Sequence, residues 1–128
     1  MSLLLDTRAF RWFVWDDARL SQTAKDAIID PNIQKLVSAA SAWEIAIQVS
    51  LQKLDLGMPY LPFMRSQLAI NLFEILPLTL EHGAEIAQLP FHHRDPFDRV
   101  LIAQSIWEQI PIVSADTAFD AYSITRIW

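Results

Sequence analysis

Acidic side chains stand where the chain leaves its predicted strands. Asp6 follows the apolar run Leu3–Leu5, and Asp116 follows a later run. Glu44 and Asp98 fall in the first turn of two predicted helices. Ligands bind outside the carboxyl ends of parallel strands, so all four carboxylates are expected at one edge of a sheet. Carboxylates brought that close together either bind a cation or take up protons.

A hard divalent ion suits such a cluster. Mg²⁺ prefers oxygen ligands, keeps several waters and is commonly held by one or two carboxylates together with a substrate phosphate. Helix capping is the alternative interpretation for several of these acids. Asp6 and Asp116 are each suited to capping a following helix, Asp95 is best explained as a cap, and Asp98 can serve both roles. Only the joint placement of the acids points to a metal site.

The elements that position these residues alternate between strands and helices. Predicted strands are 3–5, 35–38, 73–76, 110–114 and 124–128. Six helices are predicted. The first begins at Asp6-Thr7, the second covers 22–29 after the N-cap Ser21, and the third extends from the cap Ser41 to Leu51. The last three cover about 61–72, 80–88 after the cap Thr79, and the segment from the cap Asp95 to near Gln109. This alternation predicts an α/β fold, a central parallel five-stranded sheet with helices on both faces, formed as one domain over residues 1–128.

Composition excludes several function classes. Two glycines leave no glycine-rich phosphate loop, and the lack of cysteine removes thiol nucleophiles and zinc ribbons. The N-terminus resembles no signal peptide and no apolar run is long enough to span a membrane, so a cytoplasmic protein without a membrane partner is expected. The net charge of −5 argues against a nucleic-acid partner. If four acids are counted as metal ligands, however, the rest of the chain has a net charge of −1.

The basic and imidazole side chains are the remaining candidates. Arg8, Arg11, Arg94 and Arg99 lie near the acids in sequence and are candidates for phosphate contacts. His92 and His93 are adjacent, so they point apart and make a poor metal pair; a loop histidine near phosphate or a solvated loop is expected instead. His82 is expected to be local or at the surface.

Four segments together resemble the successive motifs of PIN-domain proteins, and more narrowly the VapC-type toxins of bacterial toxin–antitoxin pairs. They are Leu3-Leu4-Leu5-Asp6-Thr7, Ser38-Ala39-Ala40-Ser41-Ala42-Trp43-Glu44-Ile45-Ala46, His92-His93-Arg94-Asp95-Pro96-Phe97-Asp98-Arg99 and Val113-Ser114-Ala115-Asp116. The resemblance covers nearly the whole chain. It implies a three-layer PIN-like fold and an endoribonuclease that depends on Mg²⁺ or Mn²⁺.

The resemblance also implies roles for individual residues. Asp6, Glu44, Asp98 and Asp116 match the catalytic acids of the family, and Ser114 matches its supporting hydroxyl and is a candidate substrate contact. Asp6 and Asp98 are expected as direct metal ligands, and Asp116 and Glu44 as helpers that act through water or a second ion. Many relatives carry histidine where this chain has Arg8, which changes the expected substrate contact.

The implied partners are an RNA substrate, a cognate antitoxin protein and a second copy of the chain in a homodimer. Apolar residues around Trp12, Trp15, Leu51, Leu61 and Phe63 are candidates for an antitoxin groove. The alternative function is a non-catalytic PIN-like module that binds RNA or an antitoxin and regulates without cutting. Four mutually repelling acids argue against that alternative, because a pocket without catalysis has no need of them.

Overall fold

A computed structural model describes all 128 residues, and its centre is a five-stranded sheet. The strands are β1 (Ser2–Leu5), β2 (Gln34–Ser38), β3 (Phe73–Leu76), β4 (Ile112–Val113) and β5 (Arg126–Ile127). They pair in the order β3-β2-β1-β4-β5, and every pair is parallel. All five carboxyl ends therefore meet at one edge, as the alternating pattern predicted.

Six helices and one 3₁₀ turn surround the sheet. The helices are α1 (Thr7–Val14), α2 (Gln22–Ile29), α3 (Ala39–Ser50), α4 (Tyr60–Ile70), α5 (Leu80–Gln88) and α6 (Pro96–Glu108), and the 3₁₀ turn is Thr117–Ala121. None of the helices combines the length and the apolar character that crossing a membrane requires.

Two apolar cores cover the two faces of the sheet. Leu3 and Leu5 pack into one core with side chains from α1 to α4, whereas Leu4 packs into the other with Leu101 and Ile102 of α6. Successive side chains of a strand point to opposite faces, so an uninterrupted Leu3-Leu4-Leu5 run is what a central strand covered on both sides requires. The predicted α/β architecture with helices on both faces is confirmed.

Helix α3 begins earlier than predicted. Its N-cap is Ser38, whose hydroxyl oxygen accepts a hydrogen bond from the Ala40 N–H at 3.0 Å. Ser41 lies inside the helix instead, buried, where its Oγ accepts a hydrogen bond from the Thr7 hydroxyl at 2.9 Å. The prediction that Ser41 is the cap was wrong because a serine three residues earlier, at the end of β2, already satisfies the helix start. Glu44 consequently lies in the second turn of α3.

His82 is buried, so of the two expected roles, local or at the surface, the surface position was wrong and the local one was right. Its Nδ1 accepts a hydrogen bond from the Thr79 N–H at 3.2 Å, which completes a reciprocal cap at the start of α5. Its Nε2 lies 3.1 Å from Glu108 Oε1 on α6. The ring is enclosed because α5 packs directly against α6.

Candidate functional site

A polar pocket of about 330 Å³ lies at the carboxyl edge of the sheet. Carboxylates dominate its lining, which consists of Asp6, Glu44, Asp95, Asp98 and Asp116 together with Thr7, Arg8, Arg11, Gln48 and Ala115. The structure thus brings the four predicted acids into one pocket, although they come from four separate segments of the chain. What each acid does there stays a prediction.

Asp6 is held in place at the junction of β1 and α1. Its N–H donates to the Val113 carbonyl at 3.0 Å, and its Oδ1 accepts the Ala9 N–H at 2.7 Å as the N-cap of α1. Burial raises the pKa of Asp6, while hydrogen bonds from the Ser114 side chain and the Ala9 N–H, together with the charge of Arg8, act in the opposite direction. Asp6 is therefore both a helix cap and a lining residue.

Asp98 is the third residue of α6, in the turn that Asp95 caps. Burial raises its pKa to about 6, and the charge of Asp95, followed by those of Glu44 and Asp116, adds to the effect, whereas His93 lowers it. Like charges within a few ångströms disfavour the ionised form of a carboxyl group. The pocket therefore concentrates negative charge that a cation would compensate.

Asp116 follows β4 and is fixed through both carboxylate oxygens. Its Oδ1 accepts the Ala118 N–H at 3.0 Å as the N-cap of the 3₁₀ turn, and its Oδ2 lies 3.2 Å from His93 Nε2. Its own N–H donates to Ser114 Oγ at 3.0 Å. Ser114 is fully buried and joins Asp6 to Asp116, so the structure places it behind the acids rather than where a substrate would touch it.

His93 is the residue that sequence reasoning missed. Only 9% of its side chain is exposed, which contradicts a solvated loop, and one potential ligand atom from each of His93, Asp98 and Asp116 lies within 4.8 Å of the others. His92, its neighbour, is exposed, so the two rings do point to different surroundings. Asp116 is 23 residues away from His93 in sequence, and no local pattern announces a contact over that separation.

The donor set fits a divalent cation. The Asp98 and Asp116 carboxylates are ligands that Mg²⁺ or Mn²⁺ accepts, and His93, whose two ring nitrogens both have hydrogen-bond partners, lies beside them. Asp6 lies in the same pocket but outside this closest group, so its predicted role as a direct ligand stays a prediction.

Two of the four candidate arginines line the pocket. Arg8 and Arg11 both lie in it, yet neither comes within 4.0 Å of a carboxylate oxygen. The Nε of Arg11 is buried and has no hydrogen-bond acceptor. A buried donor without an acceptor costs about 1–3 kcal/mol, and Arg11 carries that cost at the wall of the pocket.

Arg94 and Arg99 do not line the pocket. Arg94 is exposed in the preceding loop, and Arg99 is buried, with its guanidinium donating to the Pro90 carbonyl at 3.0 Å and the Leu89 carbonyl at 3.2 Å. The same guanidinium lies over the Phe91 ring at 4.0 Å. Arg99 thus ties the 89–91 loop to α6, and the predicted substrate contact is corrected to a structural one.

Comparison with known proteins agrees with this architecture. The family model of the PIN domain matches residues 3–124. No curated protein matches the chain by sequence.

Several solved structures share the fold at low sequence identity. A VapBC2 complex from Rickettsia felis bound to a promoter DNA fragment aligns with a TM-score of 0.71 at 14% identity, over 98% of this chain and 97% of the other. VapBC-1 from nontypeable Haemophilus influenzae aligns with a TM-score of 0.70 at 10% identity, over 98% of this chain and 96% of the other. FitAcB from Neisseria gonorrhoeae aligns with a TM-score of 0.67 at 19% identity, over 97% of this chain and 95% of the other. With the family match spanning nearly the whole length, this chain belongs to the PIN-domain family.

Proposed function

We propose that this protein is a metal-dependent endoribonuclease, a VapC-type toxin held in check by a cognate antitoxin. The observation that carries the proposal is the pocket in which Asp6, Glu44, Asp98 and Asp116 converge at the carboxyl edge of a PIN fold. PIN domains are generally nucleases. A phosphodiester needs charge neutralisation on its non-bridging oxygens, which such a pocket provides once a cation occupies it.

The proposed division of labour follows the geometry. Asp98 and Asp116 hold the cation, Mg²⁺ or Mn²⁺, because their oxygens and His93 lie closest together. Once bound, the ion would supply Lewis acidity toward the phosphodiester, which an in-line water would hydrolyse. Glu44, which forms no ion pair, orients that water, and Asp6 completes the negative field as the buried acid beside them.

Arg8 and Arg11 are proposed to bind the RNA backbone next to the acids. We expect Arg8→Gln and Arg11→Gln each to raise KM for a short RNA by about 3- to 10-fold, and to reduce the salt dependence of binding by about one charge. Arg65→Gln is the matched control, because Arg65 is exposed on α4 and lies outside the pocket. Equal KM values for all three variants would contradict the assignment. Fluorescence anisotropy at several salt concentrations measures the binding.

An antitoxin partner is proposed from the complexes that share the fold. Those structures are of VapBC2, VapBC-1 and FitAcB, and a toxin–antitoxin complex from Klebsiella pneumoniae shares the fold as well. On this chain Trp15, Leu51 and Leu61 are exposed apolar side chains suited to an amphipathic helix. Phe63 is buried and Trp12 packs on Trp128, so these two members of the predicted groove contribute from beneath. A homodimer in the cytoplasm completes the proposal.

The test is cleavage by the purified, partner-free protein. Wild type is incubated with a mixed RNA pool in Mg²⁺, in Mn²⁺ and in EDTA, beside Asp6→Asn prepared in the same way. The proposal requires cleavage that depends on metal and that Asp6→Asn loses while remaining folded by circular dichroism. Equal cleavage by both proteins would reveal a contaminating nuclease. A wild type that binds RNA but stays inert with both metals would favour the non-catalytic alternative.

A further inference from the structure

A chain of hydrogen bonds runs from the loop before α6 to the Asp116 carboxylate. The His92 N–H donates to the Tyr122 hydroxyl oxygen at 3.1 Å, and that hydroxyl lies 3.1 Å from His93 Nδ1. On the other side of the ring, His93 Nε2 lies 3.2 Å from Asp116 Oδ2. Every polar atom of the His93 ring therefore has a partner.

The chemistry of the end groups fixes the direction of this chain. An ionised carboxylate only accepts hydrogen bonds, so the His93 Nε2–H group donates the hydrogen bond to Asp116 Oδ2. In the neutral ring, Nδ1 is then an acceptor and takes the Tyr122 hydroxyl proton, while the Tyr122 oxygen accepts from the His92 N–H. The tautomer of His93 is thus set by Tyr122 at one side and by Asp116 at the other.

Aromatic packing fixes the plane of the ring. His93 meets the Phe119 ring edge to face, with centroids 5.0 Å apart, and packs on Tyr122 at 5.5 Å. Phe119 and Tyr122 are both buried. The imidazole therefore has little freedom to turn away from Asp116.

Few contacts hold the Asp116 carboxylate in place. Its side chain is 37% exposed, and only two contacts hold its oxygens, the Ala118 N–H and His93 Nε2. Without His93, Oδ2 would be free to turn toward solvent and away from Asp98. A ligand that must be ordered before it binds loses part of its affinity to that ordering.

We propose that Tyr122 and His93 are positioning residues that hold the Asp116 carboxylate toward Asp98 and thereby set the affinity of the pocket for its divalent cation. This inference rests on the proposed function, since it needs the pocket to bind a cation. Hydrogen-bonding partners of metal ligands commonly contribute about 10- to 100-fold to metal affinity.

Mn²⁺ binding to the purified protein tests the proposal without any activity assay. Titration followed by the electron paramagnetic resonance of free Mn²⁺ gives the dissociation constant of each variant. We expect His93→Ala to weaken Mn²⁺ binding about 10-fold, Tyr122→Phe about 3-fold, and His93→Gln, whose amide keeps a donor toward Asp116, to remain near wild type. Tyr60→Phe is the matched control and should bind Mn²⁺ as wild type does, because the Tyr60 hydroxyl donates to the Ala42 carbonyl and lies outside the pocket.

The outcomes separate the positioning role from the metal site itself. Mn²⁺ binding that Asp98→Asn abolishes but that His93→Ala and Tyr122→Phe leave unchanged would overturn the positioning role alone. A wild type that binds no Mn²⁺ would overturn both the proposed metal centre and this inference. A lower melting temperature in EDTA with unchanged Mn²⁺ affinity would assign His93 a purely structural role. If His93→Ala fails to fold, Tyr122→Phe, which preserves the buried ring, decides the question.

Discussion

Replacing Asp98 by Asn is expected to lower the rate of RNA cleavage about a thousandfold, which corresponds to about 4 kcal/mol of activation free energy. Asn keeps the size of the side chain and removes the charge that would bind the cation. Asp98 shares the closest ligand group of the pocket with Asp116 and His93, so its loss affects the proposed metal directly. Single-turnover cleavage of a labelled RNA in Mg²⁺ measures the effect.

Asp26→Asn is the matched control for that experiment. Asp26 is an exposed acid on α2 that accepts a hydrogen bond from the Gln22 amide at 2.7 Å, and it lies outside the pocket. The same change of charge there should leave the cleavage rate within about twofold of wild type, because exposed charges remote from a site are screened. An Asp98→Asn protein that cuts as fast as Asp26→Asn would remove the pocket from the mechanism.

The Asp98→Asn substitution is also expected to stabilise the metal-free protein at neutral pH. Burial raises the pKa of Asp98 to about 6 in the folded chain, against 3.8 for an unperturbed aspartate. A group whose folded pKa is raised stabilises the fold fully below the unfolded value, and this contribution is lost as pH rises through the folded value. Because Asp98 is partly exposed, solvent screening reduces the effect to about 2 kcal/mol between pH 4 and pH 7.

Urea unfolding in EDTA at a series of pH values measures this contribution. Asp98→Asn should be more stable than wild type at pH 7, and the difference should disappear below about pH 3, where Asp98 is protonated in both the folded and the unfolded state. Burial also raises the pKa of Asp6, so ionisation of Asp6 lowers the stability as pH rises. This loss is the same in both proteins and does not affect the difference between them. Saturating Mn²⁺ at pH 7 should reverse the order by stabilising wild type alone. A variant less stable than wild type at pH 7 in EDTA would show that the ionised Asp98 carboxylate does not destabilise the fold.

These two expectations describe one compromise. Asp98 carries a charge that costs stability in the empty pocket and that the proposed cleavage needs. Asp6 makes a related compromise, since its carboxylate is buried and yet keeps a hydrogen bond from the Ala9 N–H. Buried carboxyl groups that lower the stability of the fold are typical of functional sites, where the surrounding structure compensates for the loss.

Much of the fold was determined by signals that act within a few residues. Ser21, Thr79 and Asp95 cap the helices that their positions predicted, because an N-cap bonds to an N–H only two or three residues ahead. The apolar run Leu3–Leu5 also marked the central strand, because a strand buried on both faces shows no alternation of apolar and polar residues. The order of strands and acids along the chain then brought the four carboxylates to one edge.

Tertiary contacts decided what those local signals could not. His82 and Arg99 are polar residues whose burial depends on partners in other segments, Glu108 for one and the Leu89 and Pro90 carbonyls for the other. The sequence offered two serines near the start of α3, and the Thr7 hydroxyl engaged Ser41 from another helix while Ser38 became the cap.

The role of His93 was likewise visible only in three dimensions. Its contacts with Asp116 and Tyr122 span 23 and 29 residues of sequence. Residue type and spacing predict which groups reach the edge of a sheet, because strand direction and helix caps are local. Which of them touch one another depends on how loops and turns pack across that edge, and only the folded chain determines that packing.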